Sequence, residues 1–262
     1  MSLWYAPLLG VVQGLTEFLP VSSSGHLALA QMLIAGFKQP GVVFDAALHL
    51  GTAGAVVWFE RRQIVRWIGS TEGLRLLGLL LLGTVATGLV AFPLRTVAVG
   101  AFDRAAWVGA CLMITGCVVA STRWLTGGRN DQQSISWRQA VIVGLVQGMT
   151  IFPGISRSGL TIAAGLGVGL DRAWAARFSF LLSVPAVVGV SIAEVVGNRH
   201  ELVASGSSFW IACALGLAVA ALSGYLALRI VLNTVSSRTF HRFAWYCLPL
   251  GGLVFALSVG GG

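Results

Sequence analysis

Three ionisable residues, Glu17, His26 and Arg157, stand in otherwise apolar stretches of this chain, each beside a run of hydroxyls. The first stretch, GVVQGLTEFLPVSSSGH at 10–26, carries Gln13 and Glu17 four residues apart, which puts them on one helical face. Ser22, Ser23 and Ser24 follow, and then His26. The second stretch, PGISRSGLT at 153–161, sets Arg157 between Ser156 and Ser158, with Thr161 just beyond. A guanidinium fork, hydroxyls and free backbone N–H groups at the start of a helix form a cradle for phosphate or carboxylate. Together the residues supply a nucleophile, a proton carrier, an acceptor and an anion clamp, which are the parts for attack on a phosphoryl group. Ionisable groups are costly in hydrocarbon, so a functional role is their default reading.

Plainer roles compete. Serines before helices are ordinary N-caps, Ser22 included. Gly10 and Gly14 suit close helix packing better than ligand contact. Arg157 and Glu17 also suit a purely structural ion pair between the two stretches. Asp45 and His49, one turn apart in FDAALHLG, either extend the site or sit at an outer helix end, and Glu194 reads as interfacial. Trp4, Trp58 and Trp245 read as interface belts.

The surrounding chain defines the solvent. Hydrophobic residues make up 56% and charged residues 10%, the pattern of an integral membrane protein. The 17 basic and 9 acidic residues give a net charge of +8, but the basic residues lie in short segments between apolar runs, without aromatic interleaving. That pattern marks membrane topology and excludes nucleic acid as a partner. Cys111, Cys117, Cys213 and Cys247 lack the paired spacing of a zinc site or disulfide framework and read as small packing residues. MSLWYAPLLG lacks the charged head and cleavage site of a removable signal, so the first apolar run is expected in the mature chain.

Apolar runs near 42–60, 75–94, 105–122, 176–197, 208–232 and 242–259 each suffice to span, since a core of about 30 Å takes roughly 20 helical residues. The regions 5–37 and 139–170 differ, because LPVSSSG and FPGISRSG break them in the middle. Each half, at about 13 residues, reaches only about 20 Å, so the chain is expected to enter, break and return.

The two broken regions are copies. At a constant offset of 134, residues 10–27 and 144–161 match at nine of eighteen positions, among them Gln13/Gln147, Ser22/Ser156 and Ser24/Ser158. Chance gives about two, so the chain reads as an internal duplication within a single membrane domain, 1–262, with repeats of about 1–125 and 135–262. Three crossings between the copies make the repeats inverted. Under that arrangement twelve arginines fall on one side, and Lys38, Arg95, Arg104 and Arg199 on the other, with Arg157 within the membrane. The positive-inside rule then places both termini, and the mouth of the first hairpin, outside. The expected fold is all-α, with six transmembrane helices and two re-entrant hairpins whose breaks meet near mid-membrane.

QGLTEFLPVSSSGH together with PGISRSGLT resembles the undecaprenyl-diphosphate phosphatase family, the membrane enzymes linked to bacitracin resistance, over nearly the whole chain. The resemblance implies removal of the terminal phosphate from a C55 polyprenyl diphosphate, which regenerates the lipid carrier for cell-wall synthesis. It further implies a multi-pass protein of the bacterial plasma membrane, often a homodimer, with an active site open to the outer face. It also implies a divalent cation, Mg²⁺ or Ca²⁺. Carried over by position, Glu17 is the second acidic residue of the first motif, Ser23 the proposed nucleophile, His26 the essential histidine and Arg157 the phosphate-binding arginine. Ser22, Ser24, Ser156, Ser158 and Thr161 form the polar ring. Gln13 occupies a position where many members carry glutamate. Glu17 is then the single carboxylate offered to the metal, and a hard cation is held less firmly than by two.

The residues alone do not separate Ser23, Ser24 and His26 as nucleophile. Two rivals remain at this level. SSGH and SR imitate another class of lipid phosphatase, but Ala163 stands where its distal histidine belongs and Lys38 is the only lysine. Inverted repeats with broken helices also suit a polyprenyl-phosphate flippase or secondary transporter.

Overall fold

A computed structural model describes residues 5–33, 42–102, 104–199 and 206–260. Trp4 and Lys38 lie outside these residues. The described chain forms ten α-helices and two short 3₁₀ turns: α1 Tyr5–Phe18, α2 Ser23–Leu33, α3 Val42–Trp67, α4 Thr71–Ala101, α5 Ala105–Ser121, α6 Trp137–Gly148, a turn at Met149–Ile151, α7 Arg157–Gly167, α8 Arg172–Gly197, α9 Ser207–Ser236, a turn at Phe240–Phe243 and α10 Ala244–Gly260.

All six expected runs fall in these helices. Five segments are long and apolar enough to cross a bilayer: α3, α4, α8, α9 and Phe240–Gly260. The sixth expected span, α5, is as apolar but only 17 residues long. The chain is therefore a multi-pass membrane protein. Exposed leucine, valine and tryptophan side chains cover its flanks, including Trp58 and Trp245, as a lipid-facing surface requires.

Both interrupted regions fold as helix–break–helix hairpins. α1 and α2 have 14 and 11 residues, α6 and α7 have 12 and 11. Each arm rises about 15–20 Å, short of a bilayer core of about 30 Å. Proline interrupts both, Pro20 in the first and Pro153 in the second, by removing an N–H and crowding the preceding turn. Local chemistry restarts the helices: Ser156 accepts the N–H of Gly159 at 3.1 Å, capping α7, and Ser22 accepts that of Gly25 at 3.3 Å, capping α2.

Small residues let the hairpins seat closely. α1 lies on α9, where a Cβ on Gly14 would meet the Ala220 carbonyl at 2.5 Å and one on Gly10 the Gly216 carbonyl at 2.8 Å. α6 lies on α4 in the same manner, with Gly148 against the Thr87 carbonyl and Gly144 against that of Gly83. Gly10 and Gly14 are thus packing residues, and without a hydrophobic drive between helices such close approach is what holds them together. Cys111, Cys213 and Cys247 are buried packing residues, whereas Cys117 is exposed. The main core joins Phe18 and Val56 to Ile162, Phe178, Leu182 and Leu228, so both hairpins rest on α3, α8 and α9.

Candidate active site

The two breaks touch. Gly154 donates its N–H to Ser22 Oγ at 3.1 Å, and Ser158 Oγ donates to the Leu19 carbonyl at 3.2 Å. Gly25 faces Gly154 so closely that a Cβ would lie 3.1 Å from its Cα. Gly154 has φ 96°, a left-handed conformation natural to glycine, and Ser22 holds φ 68°, which for a serine is strained by about 1–3 kcal/mol. The strain at Ser22 is offset by its caps on Gly25 and Gly154. Ser22 is therefore both the N-cap of one hairpin and the clasp on the other. Thr115 of α5 braces the second break, donating to the Gly154 carbonyl at 2.8 Å and accepting the Ser156 N–H at 2.9 Å.

At this junction five side chains form one connected cluster. Glu17 Oε2 accepts the amide N–H of Gln13 at 2.9 Å and the hydroxyl of Ser23 at 2.6 Å, while Oε1 pairs with the Arg157 guanidinium. Gln13 Nε2 directs its other hydrogen to His49 Nδ1 at 2.9 Å, and that nitrogen lies 3.7 Å from Glu17 Oε1. The Glu17 side chain is 3% exposed and Arg157 19%. The structural ion pair weighed from the sequence is thus present. It does not exhaust the carboxylate, which also takes the Ser23 hydroxyl at general-base distance. Ser23 and Arg157 are the first residues of α2 and α7, so two positive helix ends and a guanidinium gather where an anionic group would bind.

The other expected residues are arranged around this cluster. Ser24 bonds Ser22 at 3.3 Å and Ser156 bonds Ser158 at 3.2 Å, so these hydroxyls clasp the breaks. Thr161 turns to the Arg157 carbonyl at 2.7 Å and to Ser179 of α8, anchoring α7. His26 donates from Nδ1 to the Ser22 carbonyl at 2.8 Å, because a carbonyl oxygen only accepts, and Nε2 takes the hydroxyl of Tyr246 at 2.7 Å. Its ring stacks on Tyr246, with centroids 5.7 Å apart. Both ring nitrogens of His26 are thus engaged away from Glu17.

Tyr246 and Thr115 escaped the sequence reading. Tyr246 is 220 residues from His26 and carries no local signal; Thr115, a lone hydroxyl in an apolar run, offered a faint one. His49, weighed either way, enters the cluster, with Asp45 and Glu194 in electrostatic reach of it.

The donor set bears on the implied cation. Among the described residues no three His, Cys, Asp or Glu side chains gather as a metal site. Both oxygens of Glu17 are matched by Arg157, Gln13 and Ser23. Gln13 Oε1, fully buried and without a partner, is the free acceptor of the cluster. These residues do not fit a hard cation held by protein carboxylates, which takes six or more oxygens.

The model of the family described as bacitracin resistance protein BacA matches residues 6–253. Among curated relatives, an undecaprenyl-diphosphatase of Desulfosudis oleivorans is 42% identical, the alignment covering 96% of this chain and 97% of that protein. Another of Syntrophotalea carbinolica is 41% identical over 98% of this chain and 100% of the relative. One of Methanobrevibacter smithii is 36% identical over 99% of each. These phosphatase names do not favour the transporter reading. With a match that begins in α1 and ends in α10, taking in both hairpins, this chain belongs to the BacA family.

Proposed function

We propose that this chain hydrolyses undecaprenyl diphosphate to undecaprenyl phosphate and inorganic phosphate, recycling the lipid carrier for cell-wall synthesis. The observation that carries it is the convergence of the Ser23 hydroxyl and the Arg157 guanidinium on one buried carboxylate, Glu17, in a chain whose relatives carry that name.

In the free protein Arg157 is held by Glu17. Terminal phosphate oxygens compete for the guanidinium with bidentate geometry, which releases Glu17 from its cation and strengthens it as a base. Glu17 then takes the proton of Ser23 as Oγ attacks the terminal phosphorus. The bond to the bridging oxygen breaks, and undecaprenyl phosphate leaves. Water hydrolyses the phosphoserine, freeing phosphate and restoring Ser23. The 2.6 Å contact supports Ser23 as nucleophile over Ser24, whose hydroxyl turns to Ser22. His26, braced by Tyr246 and one turn from Ser23, acts in this reading on the diphosphate or on the attacking water. A divalent cation, brought with the diphosphate rather than held by these residues, would supply charge neutralisation.

The membrane arrangement proposed with it has six crossings, counting α5, and two re-entrant hairpins in inverted repeats. Its support is the matched seating of α1 on α9 and α6 on α4 through Gly10, Gly14, Gly144 and Gly148. The twelve-to-four arginine and lysine asymmetry supports an outward-facing site, with both termini outside, in the plasma membrane. The prenyl tail stays in lipid beside the junction, and the broad apolar face of α4 serves lipid or a second copy in a homodimer.

The decisive experiment is phosphate release from undecaprenyl diphosphate by purified protein in detergent, with and without Mg²⁺ or Ca²⁺, beside an Arg157→Ala control. Release that needs the cation and vanishes in the variant supports the reading. A folded preparation that releases none overturns it.

A further inference from the structure

The hydroxyl–carboxylate pair has a third member behind it. Gln13 bridges Glu17 and His49 with both hydrogens of a single nitrogen, Nε2, at 2.9 Å to each. The amide is fully buried, and its oxygen has no partner, so nothing on the oxygen side fixes which way the amide faces. The orientation matters. With the amide reversed, its oxygen would stand beside Glu17 Oε2, two acceptors with no hydrogen between them. That repulsion acts on the same oxygen that receives the Ser23 proton.

An acceptor at His49 Nδ1 selects the same orientation as Glu17 Oε2 and reinforces it. A ring with its hydrogen on Nδ1 would face the amide hydrogen and drive the reversal. The hydrogen of His49 therefore belongs on Nε2. Asp45, one turn earlier on α3, Glu194 of α8 and Glu17, whose Oε1 lies 3.7 Å from Nδ1, are acidic groups in electrostatic reach of this ring. A base oriented by a hydrogen-bonded neighbour is the arrangement by which a nucleophile–base pair is held in working geometry.

We propose that His49, as the Nε2–H tautomer, is a positioning residue: through Nδ1 it locks the Gln13 amide, and the locked amide aims the Glu17 carboxylate at Ser23. This rests on the phosphatase reading above for its effect on turnover, though the lock itself is independent of it. His49 acts through Gln13, which its ring nitrogen contacts, rather than on the reacting groups. Its contribution belongs to the rate constant of the chemical step rather than to substrate capture, which Arg157 performs.

The test has two arms. In the first, kcat and KM for undecaprenyl diphosphate are measured for wild type, His49→Phe and His49→Gln. His49→Phe is expected to lower kcat about tenfold, the effect of roughly one misdirected hydrogen bond, with KM moved less than about threefold. His49→Gln offers an amide oxygen to the same Gln13 hydrogen and is expected to recover most of the rate. Should His49→Phe fail to fold, the comparison of His49→Gln with His49→Leu serves. Wild-type kcat in a folded apolar variant overturns the proposal, as does a loss in both that the glutamine does not restore.

In the second arm, imidazole ¹⁵N shifts of His49, assigned by their loss in His49→Gln, report the tautomer without any turnover. Hydrogen on Nε2, with Nδ1 shifting when Gln13→Leu removes its donor, supports the lock. Hydrogen on Nδ1 overturns it. If the wild type releases no phosphate while the ring shows the expected tautomer, the phosphatase reading fails and the lock stands.

Discussion

Ser23 donates its hydroxyl to Glu17 Oε2 over 2.6 Å, although a helix break separates the two residues and Glu17 also holds Arg157 of the other hairpin. One carboxylate thus joins the proposed nucleophile of the first hairpin to the proposed anion clamp of the second. In the proposed mechanism the serine is held ready, while the base is restrained by a cation until an anionic group takes the cation away.

Replacing Glu17 by glutamine keeps the shape but removes the base. Turnover is expected to fall at least about a hundredfold, the usual contribution of a positioned proton acceptor. Phosphate release measured alongside detergent thermal unfolding checks this, because a protein that loses both equally has simply unfolded.

Arg157→Ala leaves Glu17 as a buried charge without its partner. Breaking such a pair costs about 3–5 kcal/mol, and less here because Arg157 keeps some solvent access. Activity is expected to vanish, with a Tm lowered by several degrees. Arg157→Lys restores charge without the fork, so it should regain stability more fully than activity.

The neighbouring serines are expected to separate. Ser23→Ala should abolish turnover, whereas Ser24→Ala, which breaks only a 3.3 Å contact to Ser22, should keep it within about tenfold. Equal losses in the two would remove the basis for choosing Ser23.

Tyr246→Phe deletes the hydroxyl that His26 Nε2 accepts while keeping the stacked ring. If His26 needs that partner to keep its tautomer, turnover drops about tenfold without loss of Tm, the energy of a hydrogen bond of about 1.4 kcal/mol. A rate equal to wild type would show that Tyr246 merely packs against the ring.

Chelation addresses the cation. Because the described residues offer no cluster of metal ligands, EDTA is expected to stop hydrolysis while leaving the Tm of substrate-free protein unchanged. A Tm that rises with Mg²⁺ in the absence of substrate would place the ion on the protein instead.

Much of this architecture was legible in the chain itself. Composition identified the solvent, the length of each apolar run identified its helix, and the prolines at 20 and 153 marked where two helices had to stop, because proline lacks the N–H that continues one. Charges inside hydrocarbon are rarely idle, which singled out Glu17, His26 and Arg157, and the family resemblance added Ser23. What the chain could not express were pairings over long separations. Glu17 reaches Arg157, His26 reaches Tyr246 and Gln13 reaches His49 only after the hairpins seat against α9, α4 and each other through their glycines. Residue type is a local property, so sequence names the groups. Which hydroxyl faces the carboxylate, which ring orients the amide and which serine merely clasps a break depend on directions accurate to a fraction of a hydrogen-bond length, and only tertiary packing fixes those.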